Sequence, residues 1–263
     1  MQIQGSTVLL TGASGGIGHA IARALSAEGA RLMLTGRRTE VLAGLASETR
    51  ADVLPSDLSD RSALALLIAA AANVDIVVAN AGLPGSGGLL DFDQDEIDRC
   101  LEVNLRAPIA LCRALAPAMV QRGRGHFTFI SSLSGIAASP GSSIYSSTKF
   151  GLRGFAHGAR QDLHGTGVGV SVVLPGFISD AGMFAESGTE LPKGIRTSTP
   201  EDVASAVVKT IVRDRAEIVV APPEMHASAL LGTVAPGLAA AISRRLPTGR
   251  ISEDMALGQR DKR

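Results

Sequence analysis

Tryptophan is absent and tyrosine occurs once, as Tyr145; aromatic residues are 3% of the 263-residue chain. Any tyrosine titration in this protein therefore reports on one position. Cysteine is nearly as scarce, with only Cys100 and Cys112. On one helix these two would sit roughly 18 Å apart along the axis, whereas a disulfide needs Cα atoms within about 7 Å. They read as two thiols in a reducing compartment, and the chain as a cytoplasmic protein. No CxxC, HExxH or other His/Cys spacing is present, so no metal site is expected. Nor is there an excess of charge: Lys+Arg and Asp+Glu both number 25. A nucleic-acid partner needs a concentrated basic face and is not expected. The arginines of "QRGRGH" and "SRRLPTGR" read as loop and helix-end residues. The opening "MQIQGSTVLLTG" lacks the basic start and long apolar core of a signal peptide. The apolar run 227–243, with Arg244 and Arg245 behind it, is slightly short for a membrane span. Gly232, Pro236 and Gly237 interrupt it. It reads as a surface-packed or interface helix pair, with peripheral membrane contact as the alternative.

What is present is an ordinary globular composition, 45% hydrophobic and 19% charged, with no linker or repeat to divide residues 1–263 into more than one domain. Seven short aliphatic runs recur: "TVLL" (7–10), "RLMLT" (31–35), "ADVLP" (51–55), "DIVVA" (75–79), "HFTFIS" (126–131), "GVSVVL" (169–174) and "EIVVA" (217–221). Most are apolar throughout, as expected of parallel strands covered on both faces. Helical patterns lie between them. "HAIARALSAEG" ends at Gly29 as a C-terminal cap. "TPEDVASAVVKTIVR" starts with Thr199 as N-cap and Pro200 at the first helical position. The acids of "DFDQDEID" read as a helix N-terminus favoured by the dipole rather than as catalytic carboxylates. Strand and helix in alternation predict an α/β fold, a doubly wound parallel sheet of about seven strands with helices on both faces. Residues 176–198 lack periodicity and read as a lid; residues 224–263 form a C-terminal extension.

Directly after the first strand stands "TGASGGIGHAIA". Gly12 ends the strand in a tight turn, and Gly16 or Gly15 lets a pyrophosphate approach the backbone. Gly18 opens a helix whose free N–H groups face the phosphates. Further on, "YSSTK" places Lys149, one of four lysines, four residues after Tyr145 and so on the same helix face. A phenol ordinarily loses its proton near pH 10. A neighbouring ammonium is expected to lower that value toward the range useful for acid/base work.

"TGASGGIG" resembles the T-G-x-x-x-G-x-G fingerprint of the short-chain dehydrogenases/reductases. The family's other signatures follow in its order: "ANAG" (79–82, where the family has N-N-A-G), "EVNLRAP", "ISSLSG", "YSSTK" and "LPG" (174–176). The resemblance covers residues 7 to about 221. It implies a Rossmann-fold oxidoreductase with Tyr145 as general acid/base and Lys149 as its electrostatic partner. Ser132, thirteen residues before Tyr145, would stabilise the substrate oxygen; Ser131 is its rival. Asn104 would hold a water that links Lys149 to solvent. Gly12, Ser14, Gly15, Gly16, Ile17 and Gly18 would bind the cofactor. So would Asn80, Ala81 and Gly82, then Pro175, Gly176 and Ile178, along with Tyr145 and Lys149.

After the second strand, "LTGRRTE" carries no acid for a ribose 2′-hydroxyl but has Arg37 and Arg38. Guanidinium suits a 2′-phosphate, so NADP(H) is expected over NAD(H). Asp57 and Leu58 resemble the family's adenine contacts, although Asp57 reads equally as a helix N-cap. Leu133, Ile136, Phe177, Met183 and Phe184, with Leu83, make an apolar substrate surface that predicts an uncharged, fairly hydrophobic ketone or alcohol. Ser179 is the candidate for the role of the threonine that often follows the family's P-G. The family's habit implies a homodimer or homotetramer. A catalytically silent nucleotide-binding scaffold and an enoyl reductase or dehydratase are the competing readings.

Overall fold

The computed structural model describes residues 1–189 and 196–235, together with 237, 238, 241 and 257–259. Its seven strands are β1 (Thr7–Leu10), β2 (Arg31–Leu34), β3 (Asp52–Val53), β4 (Ile76–Ala79), β5 (Gly125–Ile130), β6 (Val168–Pro175) and β7 (Glu217–Val220). They form one parallel sheet in the order β3-β2-β1-β4-β5-β6-β7. Side chains alternate across each strand. Val8 and Leu10 face one core while Leu9 faces the other; Ile76 and Val78 oppose Val77 in the same way. On the first face pack α1 (Gly16–Ala27), α2 (Thr39–Thr49) and α8 (Pro200–Arg213). On the second pack α3 (Arg61–Ala70), α5 (Ala107–Gln121) and α6 (Ser143–Asp162). Both faces are therefore dry, which is why the strands read as unbroken apolar runs.

The elements follow the sequence closely except at edges. β3 is two residues rather than five, because it has a neighbour on one side only and Pro55 supplies no donor. The acids of "DFDQDEID" do cap a helix: Asp93 and Glu96 form a reciprocal capping box at α4 (Gln94–Leu101). Thr199 and Asp202 do the same for α8. α4 continues into α5 through a π-helical turn, Glu102–Arg106. Among the described residues only the stretch Gln94–Gln121 is long and apolar enough to cross a membrane. Leu111, Leu115 and Met119 bury its inner face against the sheet, so it is a core helix. Cys100 and Cys112 both lie on this stretch, buried and unpaired with each other.

The aperiodic segment after β6 contains a short helix, α7 (Gly182–Glu186), that its sequence did not announce; residues 190–195 of the expected lid fall outside the described residues. The extension contributes α9 (Pro223–Val234) and a single turn at 257–259. Most of the remaining extension, including "SRRLPTGR", also lies outside them. Strand order reverses between β1 and β4. That point, at the carboxyl ends of the strands, is where an open α/β sheet leaves a crevice.

Candidate active site

The glycine turn closes the chain end of β1. Gly12 has φ +64°, and a Cβ there would stand 2.7 Å from Ala81 Cα, so only glycine fits. The "ANAG" turn locks it from behind. Thr11 Oγ1 accepts from the N–H groups of Asn80 and Ala81 at 3.0 Å each, and Asn80 Nδ2 donates to the Thr11 and Gly12 carbonyls. The helix begins at Gly16 with Gly15 as N-cap, two residues earlier than expected, and no side chain caps it. Its first N–H groups are thus left for a ligand. Gly18 is instead a packing residue, since a Cβ there would stand 2.3 Å from the Gly12 carbonyl oxygen. Of the two candidates for close approach, Gly16 is covered by Ala181, where a Cβ would stand 2.4 Å from Ala181 Cβ. Gly15 stays open.

These residues line a cleft of about 570 Å³ that runs from Arg37, Arg38, Asp57 and Leu58 past Ser14 and Ile17 to Gly82, Leu83 and Met183. Asp57 does not cap α3. Asp60 does, accepting from Ser62 and Ala63 N–H. The Asp57 carboxylate holds Ser59 instead, through its N–H at 2.9 Å and its hydroxyl at 2.7 Å. Burial works to raise its pKa, but the Ser59 hydrogen bonds and the charges of Arg37 and Arg99 outweigh it, and the net shift is downward. The two arginines differ. Arg38 is turned back onto the Ser14 carbonyl, whereas Arg37 has no hydrogen bond among the described residues and acts on Asp57 through charge.

Two cleft residues escaped sequence reasoning. Thr35 Oγ1 and Ser56 Oγ are buried without hydrogen-bond partners, a costly state unless a ligand satisfies them. No motif carries them; their significance appears only once β2 and β3 are side by side. With the uncapped helix and Arg37, they make the cleft fit a dinucleotide.

Pro175, Gly176 and Ile178 do not line this cleft, and neither do Tyr145 and Lys149. Ile178 is in the core and bridges Ser198, and Gly176 faces Leu133 and Met225. Ser179 is likewise drawn away, donating N–H and Oγ to the Ser198 carbonyl.

Against Gly82, whose added Cβ would stand 3.5 Å from its Oδ1, Asn104 is fully buried inside the π-helical turn, a distortion common at functional sites. Its Oδ1 accepts from Leu83 N–H at 2.6 Å, and its Nδ2 donates to the Leu83 carbonyl at 2.9 Å and to Thr148 Oγ1 at 3.3 Å. Thr148 in turn donates to the Tyr145 carbonyl at 2.7 Å. The Nδ2 hydrogens of Asn104 are therefore taken by protein, and Oδ1 keeps one lone pair for the expected water. Cys100 Sγ closes this web 3.4 Å from Asn104 Nδ2; burial pushes its thiol up to about 11.

Tyr145 and Lys149 lie on one face of α6, with Lys149 Nζ 5.5 Å from the Tyr145 ring centroid. Lys149 is buried, 3% exposed, and donates to the Ile130 carbonyl at 3.0 Å. Burial lowers its pKa from 10.5 to about 8, with Cys100 acting weakly the other way. The expectation for Tyr145 is reversed in the unliganded protein. Burial drives its hydroxyl above its ordinary range, and hydrogen bonding with Ser132 only partly opposes this. Desolvation by elements remote in sequence dominates the shift, and the Lys149 ammonium is not among its causes. The two serines differ. Ser131 Oγ donates to the Lys149 carbonyl at 2.9 Å, whereas Ser132 Oγ accepts from Ser134 N–H at 3.1 Å and keeps its own proton beside Tyr145. Leu133 follows Ser132 on a 3₁₀ turn, Ile136 is buried in the core, and Phe177 packs on Phe184 with ring centroids 4.8 Å apart. Met183, expected among substrate contacts, lines the nucleotide cleft.

A family model described as short chain dehydrogenase matches residues 6–191. The ketoacyl reductase HetN of Nostoc sp. is 37% identical over 227 residues, spanning 83% of this chain and 79% of that protein. A short-chain dehydrogenase from Sphingobium yanoikuyae, solved in complex with NADPH, superposes with TM-score 0.76 at 30% identity, over 89% of this chain and 94% of the other. The bulky-bulky ketone specific alcohol dehydrogenase of Comamonas testosteroni superposes with TM-score 0.75 at 27% identity, over 89% and 93% of the two chains. With the family model spanning residues 6–191 and relatives that share most of the chain, the chain belongs to the short-chain dehydrogenase/reductase family of NAD(P)-dependent oxidoreductases.

Proposed function

We propose that this protein catalyses NADP(H)-dependent interconversion of an uncharged, largely apolar ketone and its alcohol, with Tyr145 as general acid/base. The observation that carries this reading is the pairing of Ser132 with Tyr145 beside buried Lys149, whose Nζ would stand 3.6 Å from a Cβ on Gly82, a lining residue of the dinucleotide cleft. The nicotinamide, when bound, supplies or accepts the hydride. Gly15 and the first N–H groups of α1 would hold the pyrophosphate, Arg37 would take the 2′-phosphate, and Asp57 and Leu58 would lie beside the adenine. Ser132 donates to the substrate oxygen as negative charge develops there. Tyr145 delivers the proton in reduction and receives it in oxidation. Because burial keeps its phenol protonated, Tyr145 is poised as a donor before the cofactor's charge arrives. Lys149, titrating near 8, can exchange a proton at working pH.

Leu133, Phe177 and Phe184 offer apolar surface and no cation for a charged substrate. The ketone-specific relative and the ketoacyl reductase support carbonyl chemistry over the silent scaffold or the dehydratase. A homodimer or homotetramer in the cytoplasm completes the proposal. The test is Tyr145→Phe against a panel of ketones with NADPH and NADH. Turnover is expected to fall roughly 10²–10⁴-fold with cofactor affinity and melting temperature retained. Near-normal turnover in the variant sinks the assignment of Tyr145, and a higher kcat/KM with NADH in the wild type sinks that of NADP(H).

A further inference from the structure

α9 has two unlike faces. At about 100° per residue, Met225, Ala229, Gly232 and Thr233 share one side. That side packs on the active-site loop: Thr233 Oγ1 donates to the Ile136 carbonyl at 3.2 Å, and a Cβ on Gly232 would stand 2.8 Å from Ala137 Cβ. A Cβ on Gly176 would stand 3.4 Å from Met225 Cε. The opposite side carries Leu230, Leu231 and Val234, 49%, 38% and 85% exposed, and Leu238 follows at 55%. Four large aliphatic side chains in nine residues face outward beside the loop that contains Ser132 and Leu133.

The sequence around this face is selective. From 225 to 252 there is no Asp or Glu, while Arg244, Arg245 and Arg250 follow the apolar residues. Glu224, at the start of α9, is already neutralised by Arg196 at 2.8 Å. A protein partner is read through hydrogen bonds as well as apolar area, yet the outward side chains at 230, 231, 234 and 238 carry no polar atom. Aliphatic side chains followed by arginines, without acids, suit the boundary between acyl chains and anionic headgroups.

We propose that the outward face of α9, Leu230, Leu231 and Val234 with Leu238, docks on an anionic lipid bilayer. Docking there sets the Ser132–Ala137 side of the molecule against the membrane. An apolar substrate would then enter from lipid rather than from water, a consequence that rests on the carbonyl-reductase reading above; the docking itself does not.

The test uses the full-length protein, sedimented with vesicles of phosphatidylcholine alone or with about 30% phosphatidylserine. The wild type is expected to partition onto the anionic vesicles, and less so at high salt. Leu230→Ser with Val234→Ser should lower the partition coefficient roughly tenfold or more. Arg244→Gln with Arg245→Gln should lower it by a similar factor on anionic vesicles only. Both variants should keep the wild-type kcat/KM on a water-soluble ketone, which separates loss of docking from misfolding. No partition of the wild type onto either vesicle overturns the proposal, as does unchanged partition of the apolar variant. So does a change in oligomeric state of the apolar variant, by light scattering, without any vesicle binding by the wild type, since the face would then belong to a second copy. Vesicle binding is read without turnover, so its outcome is independent of the assignment of the reaction.

Discussion

Replacing Lys149 with methionine separates what the site costs the fold from what it does for catalysis. The ammonium is 3% exposed and titrates at about 8 instead of 10.5. That difference corresponds to about 3 kcal/mol of stability lost at neutral pH. Methionine fills a similar volume without charge, but it leaves the Ile130 carbonyl without its 3.0 Å donor, which returns a penalty of about 1–2 kcal/mol. The unliganded Lys149→Met protein should therefore be more stable by about 1–2 kcal/mol, while kcat/KM falls at least roughly 10²-fold. The pH dependence provides an internal check. Below about pH 8 the lysine is charged in both folded and unfolded chains, so the cost is complete. Between about 8 and 10.5 the unfolded chain binds more protons, so wild-type stability rises with pH. Urea denaturation of the unliganded proteins from about pH 7 to 9.5 should show the wild type gaining about 2 kcal/mol relative to the variant. Tyr145 has the opposite sign and begins to act only above its ordinary value of 10.0. A variant less stable than wild type at pH 7, or a stability gap independent of pH, would refute the reasoning that burial of the ammonium dominates.

Arg37→Glu should raise the KM for NADPH roughly 10–100-fold and leave NADH nearly unaffected, because it removes a cation and adds a repelling charge; equal losses with both cofactors would exclude a 2′-phosphate contact. Gly12→Ala combines φ +64° with a 2.7 Å approach to Ala81 Cα, and should cost about 2–4 kcal/mol in chemical denaturation. Gly15→Ala, whose nearest atom would be 3.6 Å away, should change stability by less than about 1 kcal/mol. His126 is held neutral, its pKa lowered by burial to about 4, with Nε2 2.9 Å from Ser171 Oγ. As pH falls from about 6.5 to 4 the unfolded chain gains a proton that the folded one refuses, so up to about 3 kcal/mol of stability is lost. His126→Gln should remove that part of the acid sensitivity, and identical pH–melting curves would contradict it.

The sheet was legible because each strand is covered on both faces, so its residues must be apolar without alternation whatever their neighbours are. β3 was overcalled because an edge strand ends where its one partner ends, which composition does not record. The glycine turn and the Tyr145–Lys149 pair were legible for a similar reason: a positive φ and a four-residue helical offset are local properties of the chain. The sequence by itself thus determined the architecture, the dinucleotide turn and the identity of the site's titratable groups. Tertiary structure alone tied the Ser131 hydroxyl to the Lys149 carbonyl of α6, while the preference for Ser132 already followed from its spacing to Tyr145. It also turned the Asn104 amide onto Leu83, relieved Asp57 of any capping role and left Thr35 and Ser56 unpaired in the cleft. The same is true of protonation. Desolvation is set by everything packed around a group, from any distance in sequence, and at Tyr145 it outweighs the hydrogen bond with Ser132.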